Sequence, residues 1–160
     1  MIEFLAVGTD AVLGVFAVMF LVLWFRFRLR AVLAGAGVVL AYGISEVVKL
    51  LVAEERPCRT APALVECPAP GDWSFPSNHS AIAGASAMAV FALHRGLGWL
   101  AFVVAVAAAS SRVVLGVHYV HDVVAGLLLG AVVSWAIARV VRPRARSRAD
   151  APTVVLDRVR

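Results

Sequence analysis

Lys49, Arg56 and Arg112 are cations, and Ser77, Asn78, His79, His118 and Asp122 complete a set whose types and spacing suit chemistry at an anionic phosphorus centre. Arginines donate paired N–H bonds to phosphate oxygens, and a lysine adds a point charge. The Pro-Ser-Asn-His run at 76–79 opens an apolar segment. The chain should turn at Pro76 and place Ser77 at a helix N-cap, leaving the amides of Asn78 and His79 to hold phosphate oxygens at the positive end of the helix dipole. A serine that only caps its own helix fits the same position. Two histidines, His79 and His118, suit a metal-free phosphoryl transfer: one neutral imidazole attacks phosphorus, and the other protonates the leaving oxygen. Asp122 follows His118 by four residues, so the two share a face if both are helical, and the carboxylate would then fix the ring tautomer. An ordinary structural His–Asp pair has the same spacing.

Zinc is the competing use of the histidines. His118 and His121 are three residues apart, but no tight His/Cys cluster accompanies them and the surrounding cations repel a metal, so no metal or other cofactor is expected. His121 reads as a supporting or interfacial residue, and His94 joins Arg95 in a turn.

The elements that carry these residues are expected to lie in a membrane. The chain has 160 residues, 62% of them hydrophobic, and a mean hydropathy of +0.90, more than one soluble core of this length could hide. A span needs roughly 20 mainly apolar residues. Segments of this kind run approximately over 4–25, 31–52, 79–93, 97–115 and 119–141, the third being short, which predicts an all-α polytopic bundle of about five transmembrane helices. The first segment lacks a basic stretch before it and is followed by Arg26, Arg28 and Arg30, so it reads as a retained helix rather than a signal peptide.

Arginines between spans one and two, at Arg95 and at Arg139–Arg148 would all fall on the cytoplasmic side, putting the N-terminus and the 53–78 loop outside. The net charge of +5 then serves orientation and contact with anionic membrane lipids. No basic surface is interleaved with stacking aromatics, so no nucleic-acid partner is expected. Residues 1–141 form one transmembrane domain with its outer loop at 53–78, and residues 142–160 a basic, disordered cytoplasmic tail. Five of the seven prolines lie between Ala53 and Pro76. That stretch cannot be one helix, and its length favours a lid or entry surface over a plain connector. Cys58 and Cys67 both fall in this loop, where an oxidising compartment would permit a disulfide; free thiols are the alternative.

With this orientation Glu46, Lys49, Arg56, Ser77, His79, Arg112, His118 and Asp122 gather at one depth, at the outer ends of their helices. Ionisable groups at membrane depth are costly and mark function. Their gathering carries more weight than any one residue.

"KLLVAEERP" (49–57), "PSNH" (76–79) and "SRVVLGVHYVHD" (111–122) resemble, in order and spacing, the three signature motifs of the type-2 phosphatidic acid phosphatase superfamily. The resemblance implies a metal-independent membrane phosphatase with an acid-phosphatase/vanadium-haloperoxidase-like helical core. It implies that Lys49, Arg56, Ser77 and Arg112 bind phosphate, that His118 forms a phosphohistidine oriented by Asp122, and that His79 protonates the leaving group and then activates water. Asn78 stands where the motif most often has glycine; its side chain would sit near the phosphate and donate to it or narrow the site. Members commonly have six spans, so one N-terminal helix is expected to be missing, which leaves a homo-oligomer open as a partner. An outward site at membrane depth suits a lipid phosphate arriving laterally. The chain looks similar to bacterial undecaprenyl-diphosphatases of the bacitracin-resistance type, which implies a polyprenyl diphosphate as substrate. Phosphatidylglycerophosphate or phosphatidic acid is the runner-up. A lipid phosphotransferase would need an acceptor groove, and a non-catalytic lipid binder would need neither histidine.

Overall fold

The computed structural model describes residues 14–19, 21, 22, 25 and 28–141, and these are helical and irregular, with no strand among them. Four helices are fully described: α1 (Leu29–Val52), α2 (Asn78–Leu93), α3 (Arg95–Val114) and α4 (Val120–Val141), with a single 3-10 turn at Pro57–Arg59. The expected spans at 31–52, 79–93, 97–115 and 119–141 correspond to these four within two residues at each end. The expected first span falls largely outside the described residues, as does the 142–160 tail.

Three of the helices, over Ala31–Val52, Arg95–Val114 and Val120–Val140, are long and apolar enough to cross a membrane. Large apolar side chains stand exposed along them, among them Val39, Leu51, Val103 and Leu128. On a water-soluble protein such a surface would aggregate; in a bilayer it is the face offered to lipid.

Helix α2 differs from the others. Its 16 residues reach about 24 Å, short of the roughly 30 Å hydrocarbon core. It packs against α1, α3 and α4, with Ser80, Ala81, Ala83, Gly84, Ala85, Ser86, Ala87, Ala89 and Val90 buried. A helix made of small residues can be enclosed on all sides, since its neighbours' backbones come close. The closest approach is to α4. A methyl group at Gly130 would lie 2.0 Å from the Ala81 carbonyl oxygen, and one at Gly126 would lie 2.5 Å from the Ser77 carbonyl oxygen. Gly126 and Gly130 are four residues apart and form one glycine face. This seam sets the height of the α2 N-terminus against α4, and Ser77 N–H donates to the Asp122 carbonyl across it at 3.1 Å.

The 53–77 segment folds back over this end of the bundle. Cys58 and Cys67 are joined by a disulfide with their Cα atoms 5.7 Å apart. The loop they close rests on the turn between α3 and α4: Leu64 N–H donates to the Leu115 carbonyl at 3.1 Å. Gly116 in that turn has a φ of +78°, which favours glycine, and Ala63 Cα lies 3.2 Å from where its Cβ would be, a tight fit.

Candidate active site

Helix α1 ends at Val52, with Ala53 in the left-handed conformation and its N–H bonded to the Lys49 carbonyl. Lys49 therefore sits in the last turn, where a cation is favoured by the helix dipole. Arg56 follows on extended chain ahead of the 3-10 turn. The Lys-x6-Arg spacing thus spans a helix end and its exit, and the two side chains converge. Lys49 Nζ and Arg56 Nη2 lie 2.8 and 2.9 Å from the same oxygen, Oδ1 of Asp72, and both cations are 4% exposed.

Arg56 divides its remaining donors between the loop residue Asp72 and the turn that precedes α4. Nε donates to the Asp72 carbonyl at 2.8 Å, and Nη1 donates to the Val117 carbonyl at 3.1 Å and lies 3.0 Å from His118 Nε2. The other ring nitrogen of His118, Nδ1, is 3.2 Å from Asp122 Oδ2. A guanidinium has only donors and a carboxylate only acceptors. His118 is therefore held with its proton on Nδ1 and a lone pair on Nε2, the tautomer a nucleophile needs.

The condition for His118 and Asp122 to share a helical face, that both be helical, is not met. His118 lies in the irregular turn before α4, which starts at Val120. The two still meet because Asp122, in the first turn, reaches back: its Oδ2 accepts from Tyr119 N–H at 2.9 Å, a capping arrangement that fixes the carboxylate beside the preceding residues. Ser74 Oγ donates to the same Oδ2 and lies 3.4 Å from His118 Nδ1. Ser74, Ser77 and Asp122 are fully buried and His118 is nearly so.

Ser77 occupies the N-cap position of α2 in extended conformation, but its side chain makes no capping bond. Its hydroxyl oxygen is buried with no hydrogen-bond partner among the described residues, so it is not used to cap its own helix. His79 is half-buried in the first turn that follows. Arg112, in the last turn of α3, is close enough for its charge to act on His118.

Asn78 departs from the expected arrangement. Its side-chain carbonyl accepts from Ser45 Oγ at 2.7 Å and its Nδ2 donates to Glu46 Oε1. The amide that was expected beside the phosphate is turned onto α1, one turn below Lys49, and braces the two helices.

Residues 30–146 match the PAP2 superfamily. The chain belongs to it. The PAP2 motifs of this chain all lie inside the matched region, and the protein is a membrane phosphatase of that superfamily. It is similar to the decaprenylphosphoryl-5-phosphoribose phosphatase of Mycobacterium tuberculosis, with 38% identity over 77% of this chain and 68% of that one. It is similar to an undecaprenyl-diphosphatase of Sulfolobus acidocaldarius, at 36% over 61% of this chain and 48% of that protein. It also resembles the bacitracin transport permease protein BcrC of Bacillus licheniformis, at 46% over 37% of this chain and 29% of that protein. The crystal structure of a transmembrane PAP2 type phosphatidylglycerolphosphate phosphatase from Bacillus subtilis superposes with a TM-score of 0.71 at 24% identity, over 87% of this chain and 75% of that one, a likeness of fold.

Two residues bonded to this cluster are not singled out by the sequence. Asp72 and Ser74 flank Trp73 in the approach to Pro76. No periodicity marks them, and only the proximity of Ser74 to the Pro-Ser-Asn-His run could have drawn attention to it. Among the described residues Glu54, His121 and Asp122 bring potential metal-ligand atoms within 4.8 Å of one another. His121 Nε2 lies 2.9 Å from Glu54 Oε1 and 3.1 Å from Asp122 Oδ1, so the imidazole fills the space between the carboxylates. Ser111 Oγ donates to the Ala108 carbonyl of its own helix at 2.7 Å.

Burial, first, and the Arg56 and Arg112 charges press the His118 pKa below its ordinary 6.5, against the opposing pull of Asp122. If His118 Nε2 is the attacking atom, protonation removes its lone pair, and activity falls as pH drops through this lowered value. The acid limb of kcat/KM, which reports groups of the free enzyme, is expected below pH 6.5 in a pH series on detergent-solubilised protein. An acid limb above 6.5 would contradict a buried, neutral His118.

Proposed function

We propose that this phosphatase removes the terminal phosphate of a polyprenyl-linked lipid at the outer face of the plasma membrane, through a phosphohistidine at His118. The observation that carries the mechanism is the line Asp122–His118–Arg56, which leaves Nε2 as a base-free nucleophile touching a phosphate-binding guanidinium. Lys49, Arg56, Arg112, the Ser77 hydroxyl and the amides of Asn78 and His79 would hold the phosphoryl oxygens. His118 Nε2 attacks phosphorus while the bond to the leaving oxygen breaks, and protonated His79 gives that oxygen its proton. A water then loses a proton to His79 and attacks phosphorus, the P–N bond breaks, and inorganic phosphate leaves with both histidines restored. No step calls on a metal.

The basic residues that flank the spans support a cytoplasmic C-terminus and an outward site. A polyprenyl diphosphate, hydrolysed to the monophosphate, is the head group we place first. A polyprenylphosphoryl sugar phosphate is the second reading, favoured by the relative whose match covers 77% of this chain. The test is phosphate release from undecaprenyl diphosphate, a decaprenylphosphoryl-5-phosphoribose, phosphatidylglycerophosphate, phosphatidic acid and a soluble diphosphate, each with and without EDTA. The two polyprenyl lipids should turn over at least about tenfold faster than the glycerolipids, a difference of about 1.4 kcal/mol in transition-state binding, with no loss to chelation. Faster turnover of a glycerolipid would reassign the substrate, and loss with EDTA would remove the mechanism.

A further inference from the structure

In this fold the phosphate cradle already contains an anion. We propose that Asp72 is the counter-ion of the empty site, its carboxylate holding the place of a phosphate oxygen between Lys49 and Arg56 until an entering phosphate displaces it. The inference rests on Lys49 and Arg56 being the phosphate cradle of the proposed mechanism.

Lys49 and Arg56 are each 4% exposed. Two buried cations side by side repel each other and have lost their hydration, which costs several kcal/mol per ion unless an anion compensates. Asp72 Oδ1 supplies it, at 2.8 Å from Lys49 Nζ and 2.9 Å from Arg56 Nη2. Glu46 is the other carboxylate near Lys49 and stays 3.9 Å away. One guanidinium thus holds the Asp72 carboxylate on Nη2 and touches His118 Nε2 through Nη1. An anion taking the place of the carboxylate would lie beside the nucleophile.

The carboxylate is also built to leave. Its side chain is 45% exposed, so it can turn to water without a new desolvation cost. The backbone need not follow: the Asp72 carbonyl accepts from Arg56 Nε, the Asp72 N–H donates to the Ala69 carbonyl at 3.1 Å, and Ser74 N–H donates to the Glu54 carbonyl at 2.7 Å. Burial works to raise the Asp72 pKa, but the hydrogen bonds and charges of Lys49 and Arg56 outweigh it and hold the carboxyl below its ordinary range. Asp72 therefore stays ionised at neutral pH and competes throughout.

Displacement makes observed affinity a difference between two anions for one pair of cations. A phosphate dianion carries more charge than the carboxylate and wins, but by less than it would in an unoccupied cradle. The consequence falls on the product: inorganic phosphate, with no lipid to add binding energy, is expelled by the returning carboxylate.

The test is inorganic phosphate binding to purified wild-type protein and to Asp72→Asn, which keeps the shape and removes the charge, measured by calorimetry and by product inhibition. Asp72→Asn is expected to bind phosphate about tenfold more tightly and to be inhibited by it at correspondingly lower concentration. It should also have a lower Tm than wild type without phosphate and recover more of it when phosphate is added. Asp72→Ser serves as the second variant should the asparagine protein fold poorly. Phosphate binding equal to or weaker than wild type in a folded variant would overturn the counter-ion role and make Asp72 a spacer of the two cations. Wild-type protein that binds no phosphate would instead overturn the cradle itself.

Discussion

His118→Ala is expected to lower phosphate release by at least about 10⁴-fold, the scale on which enzymes lose activity when a covalent nucleophile is removed. The effect should appear in kcat. His118 sits at the end of a fixed chain, with its Nδ1 proton held by Asp122 and its Nε2 lone pair facing Arg56. Ser74 is engaged with Asp122. Ser77 is fully buried at the α2 terminus, and the variant lacks the His118 imidazole that could serve as its base. The cradle is untouched, so inorganic phosphate binding should survive the substitution. A variant that keeps more than a few per cent of wild-type turnover would mean that phosphate passes directly to water. Loss of phosphate binding together with turnover would mean that the alanine had disturbed the cradle.

Gly130→Val should damage the protein for a different reason, through its packing. Even a methyl group there would lie 2.0 Å from the Ala81 carbonyl oxygen and 2.7 Å from Ala85 N, and these are backbone atoms inside a helix that cannot turn aside as a side chain can. Helices α2 and α4 must separate. Overpacking of this kind costs about 3 kcal/mol or more, and separation at Gly130 also shifts Ser77 and His79 relative to His118 and Asp122. The expected result is a protein with a Tm many degrees lower and activity reduced at least about tenfold, since small misplacements at a phosphoryl site are costly. Leu128→Ala is the control, because its side chain is 61% exposed on the face offered to lipid and should leave both readouts near wild type. Wild-type stability in Gly130→Val would show that the two helices are not locked at this seam.

What could be read from the sequence, and what could not, follows from the range of each interaction. Lys49, Arg56, Ser77, His118 and Asp122 stand out by type and by local spacing, and a helix end, its exit and a helix start suffice to aim them. The four described helices follow from uninterrupted apolar runs. Helix α2 was visible as a short apolar segment, but its central place was not, since Ala, Ser and Gly carry little periodic contrast between faces. Gly126 and Gly130 looked like ordinary residues of an apolar span until their contact with Ser77 and Ala81 set them apart. Asp72 and Ser74 act through partners 16 to 48 positions away, and nothing local announces such pairs. The side chain of Asn78 could be expected at the phosphate only because the position lies there; its turn toward Ser45 and Glu46 depends on how α1 packs. Whether His118 is helical was open in the sequence; it lies in the turn that begins before it at Gly116, whose φ is +78°.

The covalent intermediate is the centre of this account, and trapping it is the most direct test. The protein would be mixed for milliseconds with polyprenyl diphosphate labelled in its terminal phosphate, quenched in base and digested. Phosphohistidine survives base and is lost in acid, unlike phosphoserine. The predicted result is an acid-labile label, up to one per chain, on the peptide that carries His118 and absent from His118→Ala. A fully active enzyme that shows no label in the quench, or carries it on another residue, would contradict the assignment of His118 as the nucleophile.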